Sequence, residues 1–504
     1  MIGALALTLL AAAPAVPSAA SSPFPWLPAD HRQLVKTITY DRMTALLRFA
    51  GEHPHVTVSE EARTAKGRSV FLVHLDRSGG KARWRVLFYA QQHGNEVAGK
   101  DALLYMITAV AARPEILPED VDLWIMPMMN PDGAEADQRR NADGVDLNRD
   151  HLTLKEPETQ ALHRVCQRVL PDVAVDCHEF TRDDEEVRAR GWNDWPIIMM
   201  DGVNTPLYDP ALAEAAQRWV ESAAPVMERA GHAYVRYNVG GPPPEEEQRY
   251  SAFDADDARN GLGAYGVISF IIESGVKRAA PDPSADLGAR VDAYLTLLWR
   301  FVVDASHRDA DLATVERARA FKLAPFIPVN FFWANLGPRL TEAPVLDLAT
   351  GQRKLVATPN FMHDAVVKKS VPTPLAYAVE PRAAALFGPM LERHGVTFEV
   401  LGAARPAVAE RCRLLRVEDD FDELYGRYGG RQIVARDAAA PRELAAGTLL
   451  VSLDQAAAIR AALVLEPTML YGMFAYPEYR ALVGADQTIP VWRVVALPAQ
   501  RPRP

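Results

Sequence analysis

An imidazole and a carboxylate stand three residues apart in His93-Gly94-Asn95-Glu96, directly after the hydrophobic run Val86-Leu87-Phe88-Tyr89-Ala90. In a turn or a first helical turn, side chains at that spacing can face one point, and both are ordinary zinc ligands. A third candidate, His178, follows another apolar run, Val173-Ala174-Val175-Asp176-Cys177. Two strand ends then offer His, Glu and His and leave a fourth position for water, as a catalytic zinc ion requires. A further carboxylate, Glu273, closes the apolar stretch 267–272. In that place it is either a structural acid reaching solvent or a base beside the metal, taking a proton from water that the ion acidifies.

Strand-length hydrophobic runs alternate with helical patterns from Tyr40 to about Ser306. The pattern predicts strands at 69–75, 84–90, 121–128, 173–177, 197–200, 233–239 and 267–272, and helices at 40–52, 98–112, 157–169, 210–230 and 285–305. Several strands are apolar without alternation, as strands buried on both faces are. The expected fold is therefore α/β, a mostly parallel mixed central sheet flanked by helices. Ligands bind such sheets at the carboxyl ends of the strands, where His93, Glu96, His178 and Glu273 fall. Two long connections, 181–196 and 240–263, are the places for binding specificity. Beyond Lys322 the pattern turns α+β, with strands expected at 375–379, 396–401, 449–453 and 491–497 and helices at 382–393 and 455–464. This predicts a second, smaller α+β domain at the C-terminus.

A chain of 504 residues exceeds what one hydrophobic core organises. Residues 2–16 are largely apolar and lead into Ser18-Ala19-Ala20, a small-x-small cleavage pattern. The reading is a secretory signal over 1–20, a catalytic domain over 21–320 and an accessory domain over 321–504, with a secreted or periplasmic location. No later run of roughly 18 apolar residues appears, so no membrane span is expected. The formal charge of -10, without a Lys/Arg block, argues against nucleic acid as a partner. Three cysteines, Cys166, Cys177 and Cys412, cannot build a disulfide framework.

Between the two candidate ligand strands lie Asn130-Pro131-Asp132-Gly133 and the stretch Arg139-Arg140-Asn141-Ala142-Asp143-Gly144-Val145-Asp146-Leu147-Asn148-Arg149-Asp150. With Gly67-Arg68, the His-x-x-Glu, the isolated His178 and the late Glu273, in this order, the chain resembles the zinc carboxypeptidase family, or funnelins, from about Tyr40 to Ser306. The resemblance implies one zinc ion held by His93, Glu96 and His178, with Glu273 as general base and then general acid. It implies Arg139, or its neighbour Arg140, as the group that polarises the scissile carbonyl. Asn148 and Arg149 align with the pair that receives a substrate's terminal carboxylate, which a guanidinium binds by two parallel hydrogen bonds. Asp146 aligns with the acid that orients the first histidine ligand.

The sequence also departs from the family pattern. Asp150-His151 replaces an Asn-aromatic pair, and Glu179 follows His178 where many digestive-type members carry a small residue. The family tyrosine that closes over substrate has two candidates, Tyr250 and Tyr265, in poorly matching surroundings. The implied function is a secreted zinc carboxypeptidase acting on peptides with a free C-terminal carboxylate. His-Gly-Asn-Glu and Asp-x-His-Glu also resemble deacylases of the aspartoacylase and desuccinylase type, and a muropeptide-cleaving peptidase is a third reading. A peptidase scaffold kept only for binding would lack a ligand or the base, and neither is missing.

Overall fold

The computed structural model describes residues 36–181, 185–194, 196–276, 286–337, 341–418 and 431–498, so the leader read over 1–20 and residue 285 lie outside the described residues. Eight strands form the central sheet: β1 (Val56–Arg63), β2 (Ser69–Leu75), β3 (Trp84–Ala90), β4 (Val121–Met126), β5 (Val173–Thr181), β6 (Ile198–Gly202), β7 (Tyr234–Arg236) and β8 (Ile268–Val276). Their order is β1-β2-β4-β3-β5-β8-β6-β7. The inner pairs β3/β4, β3/β5 and β5/β8 are parallel, as is β6/β7. Pairs β1/β2, β2/β4 and β6/β8 are antiparallel. The sheet is thus the mixed α/β arrangement that the apolar runs predict.

Helices cover both faces, which is why the inner strands carry no polar alternation. On one face α1 (Tyr40–Ala50), α2 (Ala98–Ala112), α4 (Pro210–Arg229) and α5 (Leu287–Ala305) pack over Val73, Val86, Phe88, Val175 and Phe270. On the other, α3 (Pro157–Val169) and the short helix Ala258–Gly263 cover Val70, Leu72, Leu87 and Ala174. Cys177 belongs to the first face, where a Cβ on Gly99 of α2 would meet its Cβ at 2.5 Å. All three cysteines are buried and free. Strand β1 has no counterpart among the predicted strands. It is an edge strand with Val56 alone buried, so its Val-Thr-Val-Ser-Glu-Glu-Ala-Arg sequence carries no hydrophobic run.

The chain beyond residue 321 builds its own sheets. A six-stranded antiparallel sheet runs in the order Glu399–Val400, Leu449–Ser452, Ala376–Val379, Val491–Ala496, Arg405–Glu410, Ala440–Leu444. The helices Pro381–Arg393 and Ala458–Leu465 belong to the same region. The strand expected over 396–401 is reduced to Glu399–Val400. One continuous apolar cluster runs from Phe88 and Phe270 in the central sheet to Tyr377, Phe387 and Val451. Both long connections of the first region are also tied to this second part. Trp192–Asp194 pairs with Glu342–Asp347, and Gln248–Tyr250 pairs with Phe361–Met362. No helix among the described residues is long and apolar enough to cross a membrane.

Candidate active site

Strand β3 ends at Ala90, and the chain turns through Gln91, whose φ is 59°, into His93-Gly94-Asn95-Glu96. Asn130-Pro131-Asp132-Gly133 buttresses that turn. Asn130 donates from Nδ2 to Gln92 O at 3.0 Å, and its Oδ1 caps Gly133 N at 2.8 Å. A Cβ on Gly94 would come within 2.1 Å of the Gly133 carbonyl carbon, so only glycine lets the two turns touch. Asp132 reaches back to Arg68, 2.7 Å from Nη1, and to Lys66 N at 3.0 Å. The separate motifs of the sequence are therefore one physical unit that fixes where His93 and Glu96 stand.

His178 comes from β5 and faces them. In the parallel register Glu273 of β8 lies opposite His178, and residues directly opposite in paired strands share a face. His93 Nδ1 and His178 Nδ1 are 3.1 Å apart, and Glu96 places Oε1 2.7 Å from the first and Oε2 2.8 Å from the second. All three residues are buried. Each imidazole is held from behind: His93 Nε2 lies 3.1 Å from Asp146 Oδ1 and His178 Nε2 2.8 Å from Asp176 Oδ2. Donation of each Nε2–H to its carboxylate leaves both Nδ1 atoms facing the Glu96 carboxylate. Three electron-rich groups in so small a space call for a proton or a cation. Their spacing suits zinc, since bonds of 2.0–2.1 Å in a tetrahedral site set ligand atoms about 3.3 Å apart. His, Glu and His form the donor set of a catalytic rather than a structural zinc site.

The electrostatics carry the same demand. Burial alone would raise the Glu96 carboxyl, but His93 and His178 outweigh it and hold it well below the usual carboxylate range. Burial would lower His178, yet Asp176 and Glu96 push it well above its ordinary value. Glu273, 8% exposed, is pushed up to about 8, first by burial and then by the charge of Glu96, against the pull of His178 and Arg139. Asp146 is held far below its usual range, because His93, Arg139 and Arg149 outweigh its burial.

Arg139 stands beside the ligands. Its Nε and Nη2 each lie 2.9 Å from Asp146 Oδ2, and Nη1 is 3.2 Å from His93 Nδ1 and 3.7 Å from Glu96 Oε1. Arg140 donates to Gly144 O on the turn and touches none of the three ligands. Asp146 also accepts from Asn148 N at 3.0 Å, so it both shapes the local turn and backs His93. Arg149 donates from Nη1 to Asn148 O at 2.6 Å, while its buried Nε has no hydrogen-bond partner among the described residues. Burial lowers this guanidinium, but Asp256, Asp146, Asp257 and Asp254 outweigh it and raise its pKa.

Asn148, expected beside Arg149 at a substrate carboxylate, is engaged within the protein. Its Oδ1 accepts from Ala258 N at 2.8 Å and Gln92 Nε2 at 3.3 Å, and its Nδ2 lies 3.2 Å from His178 Nε2. Neither tyrosine candidate touches the ligands. Tyr250 packs edge-to-face against Trp333 and Phe361, with the Arg236 guanidinium 3.5 Å over its ring. Tyr265 is buried, its hydroxyl 2.8 Å from His163 Nδ1. Asp176, present in the sequence only as the acid of Asp-x-His-Glu, turns out to back His178, and Gln92, to which no local signal points, backs Asp176 in turn.

Glu179, the departure after His178, caps α2 from outside the helix. Its Oε2 accepts from Val97 N at 2.6 Å and Ala98 N at 3.4 Å, and its Oε1 takes Ser274 Oγ at 3.0 Å and Arg290. Helix α2 has no side-chain cap of its own, so Glu179 anchors the segment that carries Glu96. Glu179→Ala leaves the buried Arg290 with less compensation and is expected to destabilise the fold by about 3 kcal/mol. Urea unfolding checks it, and an unchanged midpoint would rule out the anchoring role.

Residues 43–183 match the family model described as zinc carboxypeptidase. Carboxypeptidase 2 of Trichophyton tonsurans is 28% identical over 200 residues, 38% of this chain and 36% of the relative. Carboxypeptidase 2 of Trichophyton rubrum is 32% identical over 128 residues, 24% of each chain. A metallo-carboxypeptidase structure from Pseudomonas aeruginosa is 26% identical, covering 55% of this chain and 70% of that one with a TM-score of 0.42. The chain thus spans roughly a third or less of the curated relatives it matches. Over residues 43–183 the chain is therefore similar to the zinc carboxypeptidase family, and the relatives it matches are named as carboxypeptidases.

Proposed function

We propose that the protein is an exported carboxypeptidase that hydrolyses the last peptide bond of its substrate, with one zinc ion held by His93, Glu96 and His178. The observation that carries the reading is the convergence of those three side chains, the two Nδ1 atoms 3.1 Å apart and each 2.7–2.8 Å from one Glu96 oxygen, with Glu273 in register beside His178. When bound, zinc supplies a Lewis acid that acidifies water and polarises a carbonyl. Glu273 takes the proton from the attacking water and returns it to the leaving amine. Arg139, aimed by Asp146, donates to the carbonyl oxygen as it gains charge. Arg149 receives the terminal carboxylate; its buried, unbonded Nε supports this role. Asn148 keeps a place in the recognition wall through its backbone carbonyl, to which Arg149 is bound. The apolar leader with Ser18-Ala19-Ala20 supports export.

The intact Asn-Pro-Asp-Gly turn and the Gly144-Val145-Asp146-Leu147-Asn148-Arg149 segment favour a peptidase over a deacylase of small N-acyl amino acids. The test is incubation with unmodified peptides, their C-terminally amidated forms, N-acetyl and N-succinyl amino acids, and muropeptides. Stepwise release of single C-terminal amino acids, blocked by amidation, is the expected outcome. Release of acetate or succinate alone would overturn it, and cleavage confined to muropeptides would redirect it to the cell wall.

A further inference from the structure

Behind His178 a run of buried side chains leads away from the ligands toward the C-terminal region. Asp176 Oδ2 takes His178 Nε2 at 2.8 Å and Gln92 Nε2 at 2.7 Å. Gln92 Oε1 then lies 2.9 Å from His151 Nε2, His151 Nδ1 lies 3.0 Å from His163 Nε2, and His163 Nδ1 lies 2.8 Å from the Tyr265 hydroxyl. The far end is clamped from the second part of the chain. The Arg460 guanidinium sits 4.2 Å over the Tyr265 ring, and His394 Nε2 lies 2.8 Å from Leu152 O, next to His151.

The direction of these bonds is fixed by elementary donor and acceptor counting. The Gln92 amide nitrogen must face the carboxylate, so its oxygen faces His151 and His151 donates from Nε2. A neutral His151 then accepts at Nδ1, His163 donates from Nε2 and accepts at Nδ1, and the phenol donates last. Burial, the largest influence, lowers His151 to about 3 and carries His163 well below its ordinary value, so both imidazoles are neutral. Every member has one role, and reversing any of them leaves two donors or two acceptors facing each other in a dry interior.

We propose that His151 is a positioning residue for the metal centre: by donating to Gln92 Oε1 it holds that amide against Asp176 and so helps fix the orientation of His178, while His163 and Tyr265 complete its own hydrogen bonding on the side clamped by the C-terminal region. This rests on the reading of His93, Glu96 and His178 as zinc ligands. It gives the substitution of His151 for the family's aromatic residue a role, because an aromatic hydrocarbon cannot donate to Gln92. Outer hydrogen-bond partners of this kind typically change metal affinity by 10–100-fold.

Nitrogen-15 NMR of the intact, histidine-labelled protein tests the wiring directly. His151 and His163 are both expected as neutral Nε2–H tautomers with exchange-protected protons, and an Nδ1–H form of His151 overturns the proposal. Zinc affinity, measured by competition with a chelating dye, is expected to fall about 10-fold in His151→Phe and about 3-fold in Tyr265→Phe. Turnover should fall with KM unchanged, and His151→Gln, whose amide can both donate and accept, should recover most of the loss. Variants that fold and bind zinc as the parent does overturn the positioning role while leaving the ligand assignment intact. A parent protein that binds no zinc overturns the ligand assignment itself, and this inference with it. Should His151→Phe fail to fold, Tyr265→Phe and the tautomer measurement decide alone.

Discussion

Glu273→Gln is expected to lower kcat by about 10²–10⁴-fold, the range in which a positioned general base contributes, while the protein keeps its full complement of zinc. The two halves of that result have different causes. Turnover falls because the amide has the size of the carboxyl but cannot take a proton from the attacking water. Zinc stays because Glu273 is outside the cluster of His93, Glu96 and His178 whose ligand atoms converge. The fold should tolerate the change well, since no hydrogen bond from another described residue to the Glu273 carboxyl is present and burial already disfavours its charge. Steady-state kinetics on a short peptide, paired with elemental analysis of the same preparation, decides it. Activity within a few-fold of the parent would remove Glu273 from the mechanism, and loss of zinc would recast it as a ligand.

What the sequence discloses and what it hides divide along a physical line. The two candidate ligand segments were legible because each is local: a buried apolar run ends and a histidine follows within a few residues, His93 in the turn after β3 and His178 inside β5, which continues to Thr181. The strands at 69–75 and 84–90 appear with those bounds because both are apolar runs that helices cover. Strand β1 and Asp364–Pro372, which pairs antiparallel with Phe326–Ala334, are half-polar, and their pairing is set by partners rather than by their own pattern. The same holds within the site. Asn148 sits beside Arg149 in the chain, yet its amide is held by Ala258, 110 residues away. Tyr250 has the spacing of a substrate-closing residue, but its ring is packed against Trp333 and Phe361 beyond the first region. His151 reads alone as one more buried imidazole, and only its contact with Gln92, 59 residues earlier, connects it to His178. Spacing reveals groups whose partners are near in sequence; contacts made by the folded chain determine the rest.

Zinc removal should cost stability as well as activity, and Glu96→Ala should erase the difference. In the metal-free protein two Nδ1 atoms and a carboxylate face one another at 2.7–3.1 Å inside a buried pocket, a cluster that a divalent ion can satisfy at once. Zinc that binds the folded chain and not the unfolded one stabilises it by RT ln(1 + [Zn]/Kd), about 4 kcal/mol at 1,000 times Kd. The parent is therefore expected to gain that increment between chelator-treated and zinc-saturated samples, read as a rise in the urea midpoint or in Tm. Glu96→Ala removes the one ligand that carries formal charge and also relieves the crowded cluster, so its midpoint should not move with zinc and its peptidase activity should vanish. Glu179→Ala makes the informative comparison. It weakens the anchor of α2 but leaves all three ligands, so its zinc increment should persist on a lower baseline. A Glu96→Ala protein that still gains the full increment would mean that the ion stabilising this fold binds elsewhere, and the three-ligand centre would have to be abandoned.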